Sequence, residues 1–220
     1  MLGREIDLLA KYPRANRNLE RRLQQKTDEV RTVARRFDRD YFDGDRIYGY
    51  GGFRYNPVFW TNVIHDLISE YGLNSESSVL DVGCAKGFFL YDLQLAIPGI
   101  DISGIDISKY AIENSLPEVR DYLTIGDAKS LPFDDSSFDL VISINTIHNL
   151  TEKDCKRALS EIQRVSKKNS FVTVDAYRNL EERHRMEAWN LTALTMMSDV
   201  EWKEFFIEAG YQGDFFWFIP

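Results

Sequence analysis

The stretch VLDVGCAKG at residues 79–87 decides the fold of this chain. An apolar run typical of a β-strand ends in an acid and then breaks into a turn with spaced glycines. The residues that follow, FFLYDLQL at 88–95, have the apolar pattern of an amphipathic helix. Glycines allow a ligand to approach the backbone closely, and a helix N-terminus presents unpaired N–H groups. A strand, a glycine-rich turn and a helix in this order therefore predict a nucleotide-binding device.

Strand and helix patterns alternate from this stretch onward. The predicted strands lie near 78–82, 101–106, 121–125, 138–144, 170–176 and 212–219, and the predicted helices near 87–95, 109–115, 153–166 and 199–209. This alternation predicts an α/β fold, in which a doubly wound, mainly parallel sheet is flanked by helices. A further helical stretch over 180–197 is predicted to be a lid or a packing helix.

An N-terminal helical extension over residues 1–74 is predicted to precede the α/β domain over 75–220. Apolar residues recur at helical spacing over 16–38, and a second helix is predicted over 57–71. The extension is also a candidate surface for a homodimer.

The loop RIYGYGGFRY at 46–55 alternates aromatic residues with glycines. The backbone freedom of glycine and the large contact area of tyrosine favour a lid over the site. We expect Tyr50, Arg54 and Tyr55 to contact an acceptor substrate. The alternative is that these aromatic residues only pack the extension onto the domain.

Composition and charge exclude several classes of protein. No apolar run approaches the roughly 20 residues that a membrane span needs, and the N-terminus lacks the apolar core of a signal peptide. Two cysteines without a CxxC pair indicate neither a disulfide framework nor a zinc site, so we expect a cytoplasmic protein. The net charge is −8, although residues 1–46 hold 12 of the 27 Lys and Arg and only 9 of the 35 Asp and Glu. An acidic body argues against a nucleic-acid partner.

The turn after the first strand differs from the G-x-G-x-x-G of dinucleotide-binding dehydrogenases. Ala85 stands between Gly83 and Gly87, and Asp81 precedes them at the end of the strand. This pattern resembles motif I of the class I S-adenosylmethionine-dependent methyltransferases.

Further stretches resemble the same family. The second strand ends in Asp106, 19 residues beyond Gly87, and GDA follows the third strand at 126–128. The run LPFDDSSFDLV at 131–141 leads into the fourth strand. Each match is weak alone, but together, in order and at family-like spacing, they are specific. The resemblance covers about 79–176.

The resemblance implies that S-adenosylmethionine is the cofactor. It implies that Asp106 accepts hydrogen bonds from both ribose hydroxyls, that Asp127 contacts the adenine and that Asp81 faces the methionine part. The implied cofactor residues are Asp81, Gly83, Cys84, Ala85, Gly87, Asp106, Ile107, Asp127, Ala128 and Asn145. The alternatives are structural, with Asp81 capping the turn and Asp106 capping a helix. We expect Cys84 to contribute its backbone N–H rather than a reactive thiol, and Lys86 to face solvent.

The acceptor side is predicted from NTIHNL at 145–150, since these residues line the acceptor pocket in the family. His148 is the candidate base or acceptor-orienting group, because imidazole titrates near neutrality. The alternative is a histidine that is only hydrogen-bonded at the rim. The remaining candidates are Asp175 and Tyr177 for catalysis, and His148, Asn149 and His184 for substrate contact. No metal site is predicted, because His148 and Asp175 have no third ligand at a credible spacing.

The predicted function is transfer of a methyl group to a small molecule by in-line displacement. The acceptor is expected to be a metabolite or biosynthetic intermediate, such as a sugar or a lipid-type precursor. Alignment supplies most of the catalysis, and a base is needed only if the acceptor loses a proton of high pKa. The alternatives are a methyltransferase for RNA or protein, a nucleotide-binding oxidoreductase and a non-catalytic protein that binds S-adenosylmethionine.

The end of the chain departs from the family pattern. The family usually closes its sheet with two final strands, one of them antiparallel. Here only one strand, 212–219, is predicted after the last helix. We therefore expect that the seventh strand is missing or that another segment completes the sheet edge.

Overall fold

The computed structural model describes residues 1–13, 25–51 and 54–220. The helix predicted over 16–38 lies partly outside these ranges. Within them the N-terminal extension forms α1 (Asp28–Ala34), α2 (Arg39–Asp43), a 3-10 turn at Arg46–Tyr48 and α3 (Thr61–Tyr71). The helix predicted over 57–71 begins four residues late, because residues 57–60 form a turn.

The α/β part of the chain contains the predicted alternation. Its elements are β1 (Ser78–Val82), α4 (Phe88–Ala96), β2 (Asp101–Asp106), α5 (Lys109–Glu113), β3 (Leu123–Ile125), β4 (Phe138–Ile144), α6 (Glu152–Val165), β5 (Ser166–Tyr177), α7 (Leu180–Trp189), β6 (Met197–Ser198), α8 (Asp199–Glu208) and β7 (Asp214–Phe218). The predicted α/β fold with a parallel sheet is confirmed.

The prediction of a continuous helical stretch over 180–197 is wrong. Helix α7 ends at Trp189, and the side chain of Asn190 turns the chain there. Its Oδ1 accepts from Ala193 N at 2.8 Å, and its Nδ2 donates to Ala193 O at 3.1 Å. A local side-chain bond of this kind competes with continuation of the helix.

The sheet runs in the order β3-β2-β1-β4-β5, and both β6 and β7 pair with the outer edge of β5. Strand β7 lies beside Phe171 to Asp175, and the short β6 lies beside Ala176 and Tyr177. The strand order reverses between β1 and β4. In an open parallel sheet such a reversal leaves a crevice at the carboxyl ends of the strands, where ligands bind.

The N-terminal segment completes the edge of the sheet. Ile6 N donates to Phe215 O and Phe215 N donates to Arg4 O, each at 3.0 Å. The Arg4 guanidinium also lies 2.6 Å from the carboxylate of Asp214 at the start of β7. Both β7 and this segment run parallel to their neighbours, so the strands of the described chain include no antiparallel pair. The chain thus covers an edge that would otherwise expose unpaired backbone groups.

Two apolar layers hold helices against opposite faces of the sheet. Helices α6 and α8 pack on one face, where Ile162 and Trp202 are fully buried. Helices α3 and α4 pack on the other, through Leu67 and Leu93 among others. No helix in residues 1–13, 25–51 and 54–220 combines the length and apolarity that a bilayer span requires. The division of the chain at residue 74 stays a prediction.

Replacing Phe206 tests the aromatic core beneath α8. Its ring is fully buried and lies 5.4 Å from the ring of Phe215 and 6.0 Å from that of Trp217. We expect Phe206→Ala to lower the free energy of unfolding in urea by about 3–5 kcal/mol, because it leaves a cavity. Ile207→Ala is the matched control, since Ile207 is 62% exposed on the same helix and should change stability by less than about 0.5 kcal/mol. Equal losses in the two variants would contradict this view of the core.

Candidate active site

A cavity of about 1120 Å³ opens at the carboxyl edge of the sheet. Pockets for one small ligand usually measure roughly 300–1,000 Å³, so this cavity has room for two reactants. The sequence-predicted residues that line the cavity are Asp81, Gly83, Cys84, Ala85, Asp106, Ile107, Asp127, Ala128, Asn145, Tyr50, His148, Asn149 and Asp175. The structure thus brings together most of the predicted cofactor residues and four of the predicted acceptor or catalytic residues.

The turn after β1 is held in a left-handed conformation. Gly83 has φ of 90° and Ala85 has φ of 50°. A Cβ atom at position 83 would lie 2.1 Å from Thr146 Oγ1, so only glycine fits there. The N–H of Ala85 donates to Asp106 Oδ2 at 2.8 Å, which ties the turn to the end of β2.

Asp106 keeps free acceptor capacity in the cavity. Its Oδ2 accepts from Ala85 N, and its Oδ1 accepts from Ser108 N, each at 2.8 Å. A carboxylate has about four acceptor sites, so both oxygens can accept one more hydrogen bond. Burial raises the pKa of Asp106, and the two backbone hydrogen bonds oppose that rise. The side chain is therefore suited to a ligand with two neighbouring hydroxyl donors.

Asp81 is a second carboxylate at the same edge. It is 6% exposed and accepts no hydrogen bond within the described part of the chain. Burial raises its pKa to about 8, and the charge of Asp106 adds to the rise. A buried carboxyl group without donors is suited to a cationic ligand group.

The loop after β4 is fixed by its own side chains. Asn145 has φ of 52°, its N–H lies 3.0 Å from Thr173 Oγ1, and that hydroxyl donates to Asn145 Oδ1 at 3.0 Å. The 3-10 turn that follows, Ile147–Asn149, directs His148 and Asn149 to the cavity. Asn149 Oδ1 is buried and accepts no hydrogen bond from the residues described. A bound ligand with a donor group would satisfy it.

His148 and Asp175 are buried side by side. The N–H of Asp175 donates to His148 Nδ1 at 3.0 Å, and His148 Nε2 lies 3.8 Å from Asp175 Oδ2. Burial lowers the pKa of His148, which Asp175 partly offsets, so the ring is neutral. Because Nδ1 accepts a hydrogen bond, the proton of the neutral ring is assigned to Nε2. In this state the Nε2–H of His148 is a hydrogen-bond donor, and the lone pair on Nδ1 already accepts from the N–H of Asp175.

Residues 25–51, which we call the cover segment, close over the cavity. The Tyr50 hydroxyl accepts from Leu191 N at 2.7 Å, and its ring stacks on Trp189 at 5.6 Å. Arg35 Nε donates to Thr192 O at 3.2 Å. These contacts attach the cover segment to the chain that follows α7.

The cover segment is also attached on the opposite side. Asp43 pairs with Lys86 at 2.6 Å and accepts from the Tyr110 hydroxyl at 2.7 Å, and the Ser108 hydroxyl donates to Phe37 O. The expectation that Lys86 faces solvent is therefore wrong. Lys86 is 6% exposed, because Asp43 neutralises its charge beneath the cover segment.

An aromatic chamber lies beneath the cover segment. We give this name to the part of the cavity lined by Tyr41, Tyr50, Trp189, Phe218 and His148. Burial raises the pKa of Tyr50 to about 12, and the nearby charge of Asp175 adds to the rise. The Tyr50 hydroxyl therefore stays neutral at physiological pH.

Some predicted acceptor residues lie outside the cavity. Arg54 is exposed. The Tyr55 hydroxyl donates to Asp92, and its ring packs on Tyr91 at 5.1 Å. His184 is exposed on α7. The structure does not bring these side chains to the other site residues.

Two further candidates have local roles in the fold. Gly87 has φ of 76° at the N-terminus of α4, where a Cβ atom would lie 2.9 Å from Leu123 and Val119. The Tyr177 ring lies beneath the guanidinium of Arg183 at 5.6 Å. Neither residue lines the cavity.

The sequence analysis missed most of the cavity wall. The missed residues include Phe37, Tyr41, Phe42, Trp60, Arg185, Trp189 and the C-terminal residues 216–220. The aromatic run at 215–218 was a usable signal, because alternate residues of a strand face opposite sides. No local pattern indicated that the cover segment would meet α7.

Comparisons with known proteins identify the family to which this fold and site belong. Residues 73–210 match the family described as a methyltransferase domain. The chain is 34% identical to the demethylmenaquinone methyltransferase of Roseiflexus sp. over 42% of this chain and 40% of that protein. It is 31% identical to the mitochondrial arginine-hydroxylase NDUFAF5 of Mus musculus, over 47% of this chain and 28% of that protein. The match thus spans less than half the length of these two relatives.

The fold has solved counterparts as well. A Haloferax volcanii structure of a methyltransferase with its activator Trm112 gives a TM-score of 0.53 at 27% identity, covering 65% of each chain. The family match covers more than half of the chain and includes the turn after β1, Asp106, Asp127 and His148. The chain therefore belongs to the S-adenosylmethionine-dependent methyltransferases of class I.

Proposed function

We propose that this methyltransferase acts on a small molecule held in the aromatic chamber. The main observation behind the proposal is that the cover segment closes the cavity. It is attached through Tyr50 to Leu191 on one side and through Asp43 to Lys86 on the other. A chamber closed by aromatic side chains favours a compact acceptor over a polymer. The demethylmenaquinone methyltransferase relatives, which by name act on a small molecule, support the same class of acceptor.

The residues around the turn fit S-adenosylmethionine. Asp106 has acceptor capacity for the two ribose hydroxyls, and the buried Asp81 suits the cationic methionine part. Asp127 accepts from Lys129 N at 3.0 Å and pairs with its ammonium at 3.3 Å, and it lines the expected adenine end of the cavity. When bound, the cofactor supplies a methyl group that its sulfonium has already activated.

The contribution of the protein is alignment and exclusion of water. Holding the acceptor in line with the methyl group supplies up to about 7–11 kcal/mol in ideal intramolecular cases. His148 donates from Nε2 to an oxygen or nitrogen of the acceptor and so fixes its orientation. Asp175 holds the imidazole through its backbone N–H. With its Nδ1 engaged, His148 is an orienting group in this proposal and not a base.

The function is tested with isotopically labelled S-adenosylmethionine and a metabolite extract. We expect the purified protein to place label on a small molecule. Label found only on RNA or protein would contradict the proposed acceptor class. Failure to bind the cofactor would contradict the proposal as a whole.

Replacing Asp106 tests the ribose contact. Hydrogen bonds to charged groups contribute about 1.5–3 kcal/mol each, so we expect Asp106→Ala to weaken cofactor binding by at least about 10- to 100-fold in calorimetry. Asp101→Ala is the matched control, since Asp101 is exposed at the opposite end of β2. Circular dichroism should verify that both variants are folded. Unchanged affinity in Asp106→Ala would exclude the contact.

Replacing His148 tests the orienting role. We expect His148→Ala to lower kcat by about 10- to 100-fold, because one hydrogen bond to the acceptor is lost, and to leave cofactor affinity unchanged. His184→Ala should behave as the wild type, because His184 is exposed outside the cavity. Wild-type turnover in His148→Ala would remove this residue from the mechanism.

A further inference from the structure

The wall of the cavity formed by α7 contains a cation that has no partner in the described part of the chain. Arg185 lines the cavity, and its Nε is buried with no hydrogen-bond acceptor among the described residues. Its guanidinium also has no ion pair or ring contact with any described residue. A buried donor left unpaired is costly, so a folded protein normally supplies an acceptor or binds one.

The other basic side chains of the interior wall are already engaged. Lys86 pairs with Asp43 at 2.6 Å, and Lys129 pairs with Asp127 at 3.3 Å. Arg35 donates to backbone carbonyls. Arg185 therefore differs from these groups, because nothing in the described chain uses its hydrogen-bond donors.

Arg46 also lines the cavity, but its situation is different. Arg46 is exposed on the cover segment, so water satisfies its guanidinium. Arg185 is only partly exposed, and its Nε has no access to solvent. Among the basic side chains that line the cavity in the described part of the chain, Arg185 is thus the one with a buried donor that lacks an acceptor.

Arg185 is next to the aromatic chamber. Trp189 follows it by one helical turn on the same face of α7. The Trp189 ring stacks on Tyr50 at 5.6 Å and lies 5.1 Å from Phe218. The guanidinium of Arg185 therefore lies within about one helical turn of a ligand that packs against these rings.

We infer that the acceptor carries a carboxylate or phosphate group that Arg185 binds, attached to a flat apolar body held by Trp189 and Tyr50. This inference rests on the proposed function. The planar guanidinium matches a carboxylate or phosphate through two parallel hydrogen bonds. Arg185 thereby selects anionic acceptors and sets their orientation in the chamber.

The charge of Asp175 does not oppose this assignment. The imidazole of His148 lies beside its carboxylate, and the ammonium of Lys26 also favours the ionised carboxylate. The ammonium of Lys26 thus offsets the charge of Asp175, while the neutral imidazole of His148 carries no charge. The guanidinium of Arg185 remains available to the acceptor.

The test uses simple aromatic probes and protein saturated with S-adenosylhomocysteine, the product form of the cofactor. Binding of benzoate, phenyl phosphate and benzamide is measured by calorimetry. We expect benzoate or phenyl phosphate to bind about 10- to 100-fold more tightly than the neutral benzamide. Tighter binding of benzoate assigns a carboxylate, and tighter binding of phenyl phosphate assigns a phosphate.

Variants of α7 locate the contact. Arg185→Gln should lose the preference for the anion, and Arg185→Lys should retain part of it, since lysine keeps the charge without the planar fork. Arg183→Gln is the matched control, because Arg183 is exposed on the same helix and pairs with Glu187 at 3.0 Å. It should bind all three probes as the wild type does.

The outcomes separate this inference from the proposed function. If S-adenosylhomocysteine does not bind, the proposed function fails. If it binds but neither anion does, or benzamide binds equally well, the inference about the acceptor is overturned alone. An anion preference that persists in Arg185→Gln also overturns it.

Discussion

The hydrogen bond from Ala85 N to Asp106 Oδ2 is the interaction on which the site depends. It joins the turn after β1 to the end of β2, and Gly83 N adds a bond to Ile105 O at 2.7 Å. These contacts hold the backbone in the left-handed conformation that aims α4 at the cavity. Asp106 also lines the cavity, so one carboxylate both holds the turn and has acceptor capacity left for a ligand.

Enclosure is the second constraint on the chemistry. The cover segment lies over a cavity whose floor contains three carboxyl groups, Asp81, Asp106 and Asp175, and burial raises the pKa of each. Electrostatic contacts are stronger in such a medium than in water. A cationic cofactor at the turn and an anionic acceptor beside Arg185 would each meet a group of opposite charge. The site thus has an acidic part at the turn, suited to the cofactor, and a basic part at Arg185, suited to the acceptor.

The turn after β1 and the acids at the strand ends could be predicted from the sequence, because the patterns that indicate them are local. A strand, a turn and a helix leave periodic patterns within a few residues, and the acids stand at strand ends. The partnership of Lys86 with Asp43 joins positions that no local pattern relates, so it was missed. On α7, His184 is a predicted substrate contact and Arg185 is not, because helical phase is set by packing against the sheet and not by composition. The hydrogen bond that assigns the His148 tautomer likewise comes from β5, far along the chain.

The raised pKa of Asp81 has a consequence for the heat of cofactor binding. With a pKa of about 8, its carboxyl group is mostly protonated at pH 7 when no ligand is bound. A cationic group placed against it favours the ionised form, so the proton is released to the solvent. The buffer then takes up that proton and contributes its own enthalpy of ionisation. Calorimetric enthalpies of cofactor binding would therefore differ between buffers at the same pH, while the affinity stayed the same.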